Sequence, residues 1–178
     1  MKETAIARRY AKAFVEKFPE PGPLEAMGRD FAAFSSVFEG EKTLKMVMLN
    51  PAVPPEAKLA ILNNIMEKMD LADASRKALV HVLKKKRMDI IRFIAAEFER
   101  ISFEVLGKVR ARVTSAVELT AEEAGALQKS LSEFSGKEAV MEIKVDPSLI
   151  GGVVARIGSV VYDGSVANQL KSLRVRLN

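Results

Sequence analysis

The spacing of apolar residues changes near Gly107, and this change constrains the fold more than any other feature of the chain. Before Gly107, apolar side chains recur three and four positions apart, which is typical of amphipathic helices. From Lys108 to Leu119, apolar or small residues alternate with mostly polar ones, which predicts a half-buried strand. We therefore expect an α+β protein of two domains, a helical one over residues 1–106 and a small mixed one over residues 107–178.

Six apolar stripes predict six short helices in the first domain, and helices of this length with brief connections fit a compact bundle. Prolines and glycines separate the helices, as in the segment 19–23 and at Gly40 and Asn50–Pro51. Asp89 is expected to cap the sixth helix. The inward residues are Ala7, Ala11, Phe14 and Phe18 in the first helix, Leu24, Met27, Phe31, Phe34 and Phe38 in the second, and Ile91, Ile94, Phe98, Ile101 and Val105 in the sixth.

The second domain is predicted to follow the order β-α-β-β-β-α. Its first strand presents Val109, Ala111, Val113, Ser115, Val117 and Leu119 on one face. The segment Thr120–Glu123 has the form of a capping box and opens a helix with Ala124, Leu127, Leu131 and Phe134 inward. Met141, Ile143 and Val145 then mark a second strand by alternation.

The stretch from Ile150 to Leu173 supplies a hairpin and the last helix. Gly151 and Gly152 allow backbone conformations that a Cβ atom forbids, and Asp163–Gly164 is typical of a turn. Ser165 is well placed to cap the last helix. The apolar stripe of that helix is expected to contain Val166, Leu170, Leu173 and Leu177.

The composition argues against several functional classes. The chain of 178 residues has no cysteine, one histidine and a net charge of +5, and 48% of its residues are hydrophobic. No apolar run is long enough to span a bilayer, and the amino terminus lacks the apolar core of a signal peptide. We therefore expect a soluble protein of a reducing compartment, with no cofactor, no metal and no catalytic site.

Three motifs could suggest chemistry, and each has a simpler structural interpretation. Gly151–Gly152 fits neither glycine-rich phosphate motif, so a tight turn or a close backbone approach is favoured. His81 has no nucleophile or second ligand beside it in sequence and is expected at the edge of its helix stripe. The basic run Lys84–Arg87 and the strand arginines Arg110 and Arg112 leave a nucleic-acid-binding protein as the alternative function, although a basic helix C-terminus explains the run.

A second row of residues on the first helix lies beside its core stripe. It contains Ile6, Tyr10, Ala13 and Phe14. Small and aromatic residues on a semi-exposed face suit the binding of a partner helix, whereas a helix buried on two sides would show the same pattern. Both interpretations are open on the sequence alone.

Three segments resemble the delta subunit of rotary (F-type) ATP synthases, which is related to the mitochondrial oligomycin-sensitivity-conferring protein. They are Ala7–Ala13, Arg87–Met88 and the carboxy-terminal signature from Pro147 onwards. The signature residues are Gly151, Gly152, Arg156, Gly158, Asp163, Gly164, Ser165 and Leu170.

The resemblance implies a non-catalytic stator adaptor of a proton- or sodium-translocating ATP synthase, at the cytoplasmic face of the bacterial inner membrane. The helical domain is expected to bind the amino-terminal helices of the alpha subunits, and the second domain the end of the b-subunit stalk. The implied alpha-subunit site comprises Ile6, Tyr10, Ala13, Phe14 and His81. Nucleic acid is not an expected partner.

Overall fold

The computed structural model describes residues 2–168 and 170, and the chain divides into two compact units, Met1–Ser102 and Phe103–Asn178. The division falls shortly before the boundary predicted after Leu106. The helices that begin before this point are α1 (Lys2–Lys17), α2 (Pro21–Gly40), α3 (Lys42–Leu49), α4 (Pro55–Lys68), α5 (Asp73–Lys84) and α6 (Ile91–Val105).

Phenylalanine side chains form much of the core of the first unit. The ring of Phe31 contacts that of Phe14 at 5.9 Å between centroids and that of Phe98 at 5.1 Å, so α2 connects α1 with α6. The predicted stripe of α2 is confirmed, because Leu24, Met27, Phe31, Phe34 and Phe38 are all fully buried.

Two predictions for the sixth helix are wrong. Asp89 does not cap it, because Met88–Ile90 forms a 3-10 turn that leads directly into α6. Val105 is 56% exposed rather than inward, since it is the last residue of α6. In the first helix, Phe18 was also predicted to be inward. It follows the end of α1 and is only half-buried.

Helices α4 and α5 end in the same way, on a residue with left-handed backbone geometry. Asp70 has φ of 50° and Lys86 has φ of 55°. After α5, the backbone N–H of Lys86 bonds to the carbonyl of Leu83 at 2.8 Å, and that of Arg87 bonds to the carbonyl of Val82 at 3.1 Å. This is the Schellman pattern, in which glycine usually occupies the left-handed position.

The second unit contains a four-stranded sheet within the residues that the structure describes. Its elements are β1 (Lys108–Ser115), α7 (Ala121–Ser135), β2 (Glu138–Val145), β3 (Val153–Ile157) and β4 (Val160–Asp163), in the spatial order β2-β1-β3-β4. β1 is parallel to β2 and antiparallel to β3, and β3 is antiparallel to β4. Residues 166–168 and 170 are helical. The chain is thus mainly helical, with a small sheet.

One face of this sheet and α7 form the core of the second unit. The buried residues of this core are Ala111, Val113, Ala139 and Ala155 from the strands and Leu131 from α7. The predicted capping box is confirmed, since the Thr120 side chain accepts a hydrogen bond from the backbone N–H of Glu123 and the Glu123 carboxylate accepts one from the backbone N–H of Thr120. The Glu123 carboxylate accepts hydrogen bonds from the backbone N–H and the hydroxyl of Thr120, and these two bonds lower the pKa of Glu123.

Several residues predicted to be inward in the second unit are exposed. β1 ends at Ser115, so Val117 lies beyond the strand and is 68% exposed. Phe134 is also exposed and contacts the Tyr162 ring at 4.6 Å between centroids. Ile143 and Val145 are partly exposed because β2 is the edge strand. Leu173 and Leu177 lie outside the described residues.

Candidate functional site

Three residues of the predicted alpha-subunit site come together where α1 faces α5. The ring of His81 lies 6.2 Å from that of Tyr10 and 6.4 Å from that of Phe14, measured between centroids. Tyr10 and Phe14 contact each other at 6.2 Å. His81 itself is exposed between buried Leu79 and buried Val82, which confirms its expected position at the edge of the stripe.

Exposure differs along this row, which we call the α1 surface: Ile6, Tyr10, Ala13, Phe14 and His81. Ala13 and His81 are exposed, Ile6 and Tyr10 are half-buried, and Phe14 is 6% exposed. Phe14 therefore lies buried beneath the α1 surface, and the other four residues are fully or partly exposed to solvent. On α1 itself, Ile6 and Tyr10 are half-buried and Ala13 is exposed, so this side of the helix is partly buried.

Glu97 on α6 contacts α1 through an ion pair that the sequence patterns did not reveal. Its carboxylate accepts hydrogen bonds from Arg8 on α1 at 3.1 Å and from Arg100 at 3.0 Å. Burial alone would raise the pKa of Glu97, but the bonds and charges of the two arginines outweigh it and lower the pKa. An (i, i+3) pairing of Glu97 with Arg100 was readable from the sequence, whereas the contact with Arg8 was not.

Asp30 on α2 caps the amino terminus of α5, which has no cap from its own N-cap residue, Ala72. The Asp30 carboxylate accepts a hydrogen bond from the backbone N–H of Ala72 at 3.0 Å and one from the buried hydroxyl of Ser75 at 2.5 Å. This contact holds the helix that carries His81 against α2. It joins residues more than 40 positions apart, so no local sequence motif predicts it.

Gly151 and Gly152 form a backbone joint with the segment after β4. The N–H of Val166 bonds to the carbonyl of Gly151 at 3.0 Å, and the N–H of Gly164 bonds to the carbonyl of Val153 at 3.0 Å. A Cβ atom on Gly152 would lie 2.4 Å from the carbonyl oxygen of Gly164, and the φ angle of Gly152 is 81°. The structural interpretation of the glycine pair, close backbone approach, is therefore confirmed.

The other signature residues divide into two groups. The Asp163 carboxylate accepts from the N–H of Ser165 at 3.0 Å, and the buried Ser165 hydroxyl accepts from the N–H of Asn168 at 3.2 Å, as a helix cap does. Gly158 has φ of 58° in the β3–β4 hairpin. Arg156 and Leu170, by contrast, are exposed, and no packing of the described residues explains them.

The basic run and the strand arginines each have a local structural explanation. Lys84 is the last residue of α5, so the run it opens lies at a helix C-terminus, where the helix dipole favours positive charge. Arg110 and Arg112 both lie near the Glu142 carboxylate, with nitrogen–oxygen distances of 3.9 and 3.8 Å. Because the Glu142 carboxylate offsets the positive charge of these two arginines, the alternative of a nucleic-acid-binding protein is weakened.

Within residues 2–168 and 170, no three histidine, cysteine or carboxylate side chains are grouped so that they could hold a metal ion. None of the helices in that part of the chain is both long and apolar enough to cross a membrane.

A helical unit followed by a small unit with a mixed four-stranded sheet defines a protein of the α+β class. The family model described as ATP synthase delta (OSCP) subunit matches residues 6–177. The chain belongs to this family, whose members are non-catalytic stator subunits of the ATP synthase.

Curated relatives match over nearly the whole chain. ATP synthase subunit delta of Desulforamulus reducens is 40% identical over 173 residues, which cover 97% of this chain and 95% of the relative. The subunit delta of Desulfatibacillum aliphaticivorans is 34% identical, with 99% and 97% covered. A chain in the cryo-EM structure of the Toxoplasma gondii mitochondrial ATP synthase hexamer is similar in fold, with a TM-score of 0.62 at 17% identity and 96% of each chain covered.

Proposed function

We propose that this subunit joins the catalytic head of the ATP synthase to its peripheral stalk. Residues 1–106, as a six-helix bundle, would bind the amino-terminal helices of the alpha subunits, and residues 107–178 would bind the end of the b-subunit stalk. In a bacterium the subunit would lie at the cytoplasmic face of the inner membrane. Its role is mechanical, because it keeps the head from turning with the rotor during proton- or sodium-driven ATP synthesis.

The α1 surface is the observation that carries the proposal. Ala13 is small and exposed, so the backbone of a partner helix could come close, and Tyr10 offers a half-buried ring with a polar tip. The contacts of His81 with Tyr10 and Phe14 extend the surface from α1 to α5. Amphipathic helices bind along such apolar surfaces through residues spaced three and four apart.

Titration of an alpha-subunit amino-terminal peptide against Ala13→Glu and Tyr10→Ala variants tests this site. Ala13→Glu is expected to abolish binding, because a long charged side chain would stand where the partner backbone approaches. Tyr10→Ala is expected to cost about 2 kcal/mol of binding free energy if Tyr10 is a hot spot. High salt should matter little, since the surface is mainly apolar.

Ala33→Glu provides the matched control, because Ala33 is an exposed alanine on a different face of α2 from Phe31, which contacts Phe14. It should bind the peptide like the wild type, and circular dichroism should show that all three variants are folded. Unchanged affinity in both Ala13→Glu and Tyr10→Ala would place the alpha-subunit site elsewhere.

A further inference from the structure

An apolar cavity of about 380 Å³ opens in the first unit between α3, α4, α5 and the 3-10 turn, apart from the α1 surface. Buried Met48 and Met88 line it, together with the half-buried leucines Leu59 and Leu83. Ligand cavities in proteins have volumes of roughly 300–1,000 Å³ and are lined mainly by apolar side chains. The cavity therefore has the size and lining of a site for a small apolar group.

The charged residues that line the cavity are mostly positive. They are Lys58, Lys84 and Lys86, against a single carboxylate, Glu56. Within residues 2–168, none of these three lysines forms an ion pair with a carboxylate. An apolar lining with excess positive charge complements a molecule that has an apolar tail and an anionic head.

Lys86 occupies the left-handed position at the end of α5, as Asp70 does after α4. Glycine adopts this conformation without strain, whereas a side chain there costs about 1 kcal/mol. Here the side chain that carries the strain is also one of the three lysines that line the cavity.

We infer that this cavity binds a single-chain anionic amphiphile, a medium-chain carboxylate such as a free fatty acid. The alkyl chain packs against the methionines and leucines, and the carboxylate lies among the three lysine ammonium groups. This site does not depend on the proposed contact with the alpha subunit.

Octanoate, 1-octanol and octylamine are matched probes, since they share one chain length and differ in head-group charge. NMR titration of the full-length protein should give saturable shifts at Met48, Leu59 and Leu83 with octanoate, weaker binding of octanol and the weakest of octylamine. Raising the salt concentration should reduce the affinity for octanoate toward that for octanol, because salt screens the lysines. Octanol binding as tightly as octanoate, or shifts confined to other regions, would overturn the inference.

Replacement of the strained lysine separates binding from folding. Lys86→Gly should raise the melting temperature, because it removes the backbone strain, yet weaken octanoate binding about threefold, as expected for the loss of one exposed charge. Its control is Asp70→Gly, which relieves the same left-handed geometry after α4 at a residue that does not line the cavity. Asp70→Gly should also raise the melting temperature but leave octanoate binding unchanged. Equal octanoate affinity in wild type and Lys86→Gly would contradict the assignment of Lys86 to the site.

Discussion

Gly152 and Gly158 differ in the physical reason that each position requires glycine. Gly152 and Gly158 both have positive φ angles, 81° and 58°. Only Gly152 is also crowded, since its added Cβ would meet backbone atoms of Gly164 and Ser165, whereas nothing lies within 4 Å of the corresponding point at Gly158. Conformation alone therefore explains Gly158, and close backbone approach explains Gly152.

Alanine substitutions should separate these two effects. Gly158→Ala is expected to lower the free energy of unfolding of the second unit by about 1 kcal/mol, the cost of a left-handed alanine. Gly152→Ala should lower it by about 3 kcal/mol or more, because the backbone joint must also open. Urea denaturation followed by circular dichroism measures both. Equal losses in the two variants would show that the contact with Gly164 is relieved without cost.

Among the secondary-structure elements, α5 depends most clearly on a residue from another helix. Asp30 satisfies the backbone N–H of Ala72 and the buried hydroxyl of Ser75 at the start of α5. Since α5 also carries His81, the cap supports one side of the α1 surface.

Asp30→Ala should lower the free energy of unfolding of the first unit by about 1–2 kcal/mol, as the loss of a helix cap does. Asp30→Asn keeps an acceptor oxygen and should cost less. Ser75→Ala should destabilise the wild type but add little to Asp30→Ala, because the two side chains form one contact. Additive losses in the Asp30→Ala/Ser75→Ala double variant, measured by urea denaturation, would disagree with this assignment.

The elements that sequence patterns predicted are those determined by neighbouring residues. The stripe of α2, the capping box at Thr120–Glu123 and the cap at Ser165 follow from local spacing and backbone preference. The Asp30 cap, the Glu97 contact with Arg8 and the cavity bring together distant segments, so no local pattern contains them. Phe134 was placed inward because apolar periodicity does not tell how far a sheet extends beneath its helix.

Within the first unit, the ion pair between Glu97 and Arg8 connects α6, the last helix of that unit, with α1 at the beginning of the chain. Arg8 and Glu97 are 89 positions apart, and the Glu97 side chain is only 12% exposed. Because folding lowers the pKa of Glu97, the contribution of this carboxylate is complete above its ordinary pKa of 4.5 and is lost as the pH falls through the lowered value.

Glu97→Gln should therefore lower the free energy of unfolding at neutral pH by about 1 kcal/mol, allowing for the exposure of both arginines. The difference from the wild type should shrink as the pH falls from about 5 to 3, where the native carboxylate takes up its proton. Urea titrations across this range provide the measurement, with exposed Glu16→Gln on α1 as the control. A difference that stays constant with pH would mean that charge is not the cause.

The backbone joint at Gly151–Gly152 also bears on how the protein carries force. The bonds from Gly164 to Val153 and from Val166 to Gly151 continue the antiparallel register of β3 and β4 beyond the strands. A pull along the segment that follows β4 would load these bonds in shear, so that they resist together instead of opening one after another. A stator subunit withstands torque while the rotor turns. In this one, the absence of Cβ atoms at the two glycines lets the backbones approach closely enough for these hydrogen bonds to bear a pulling force together.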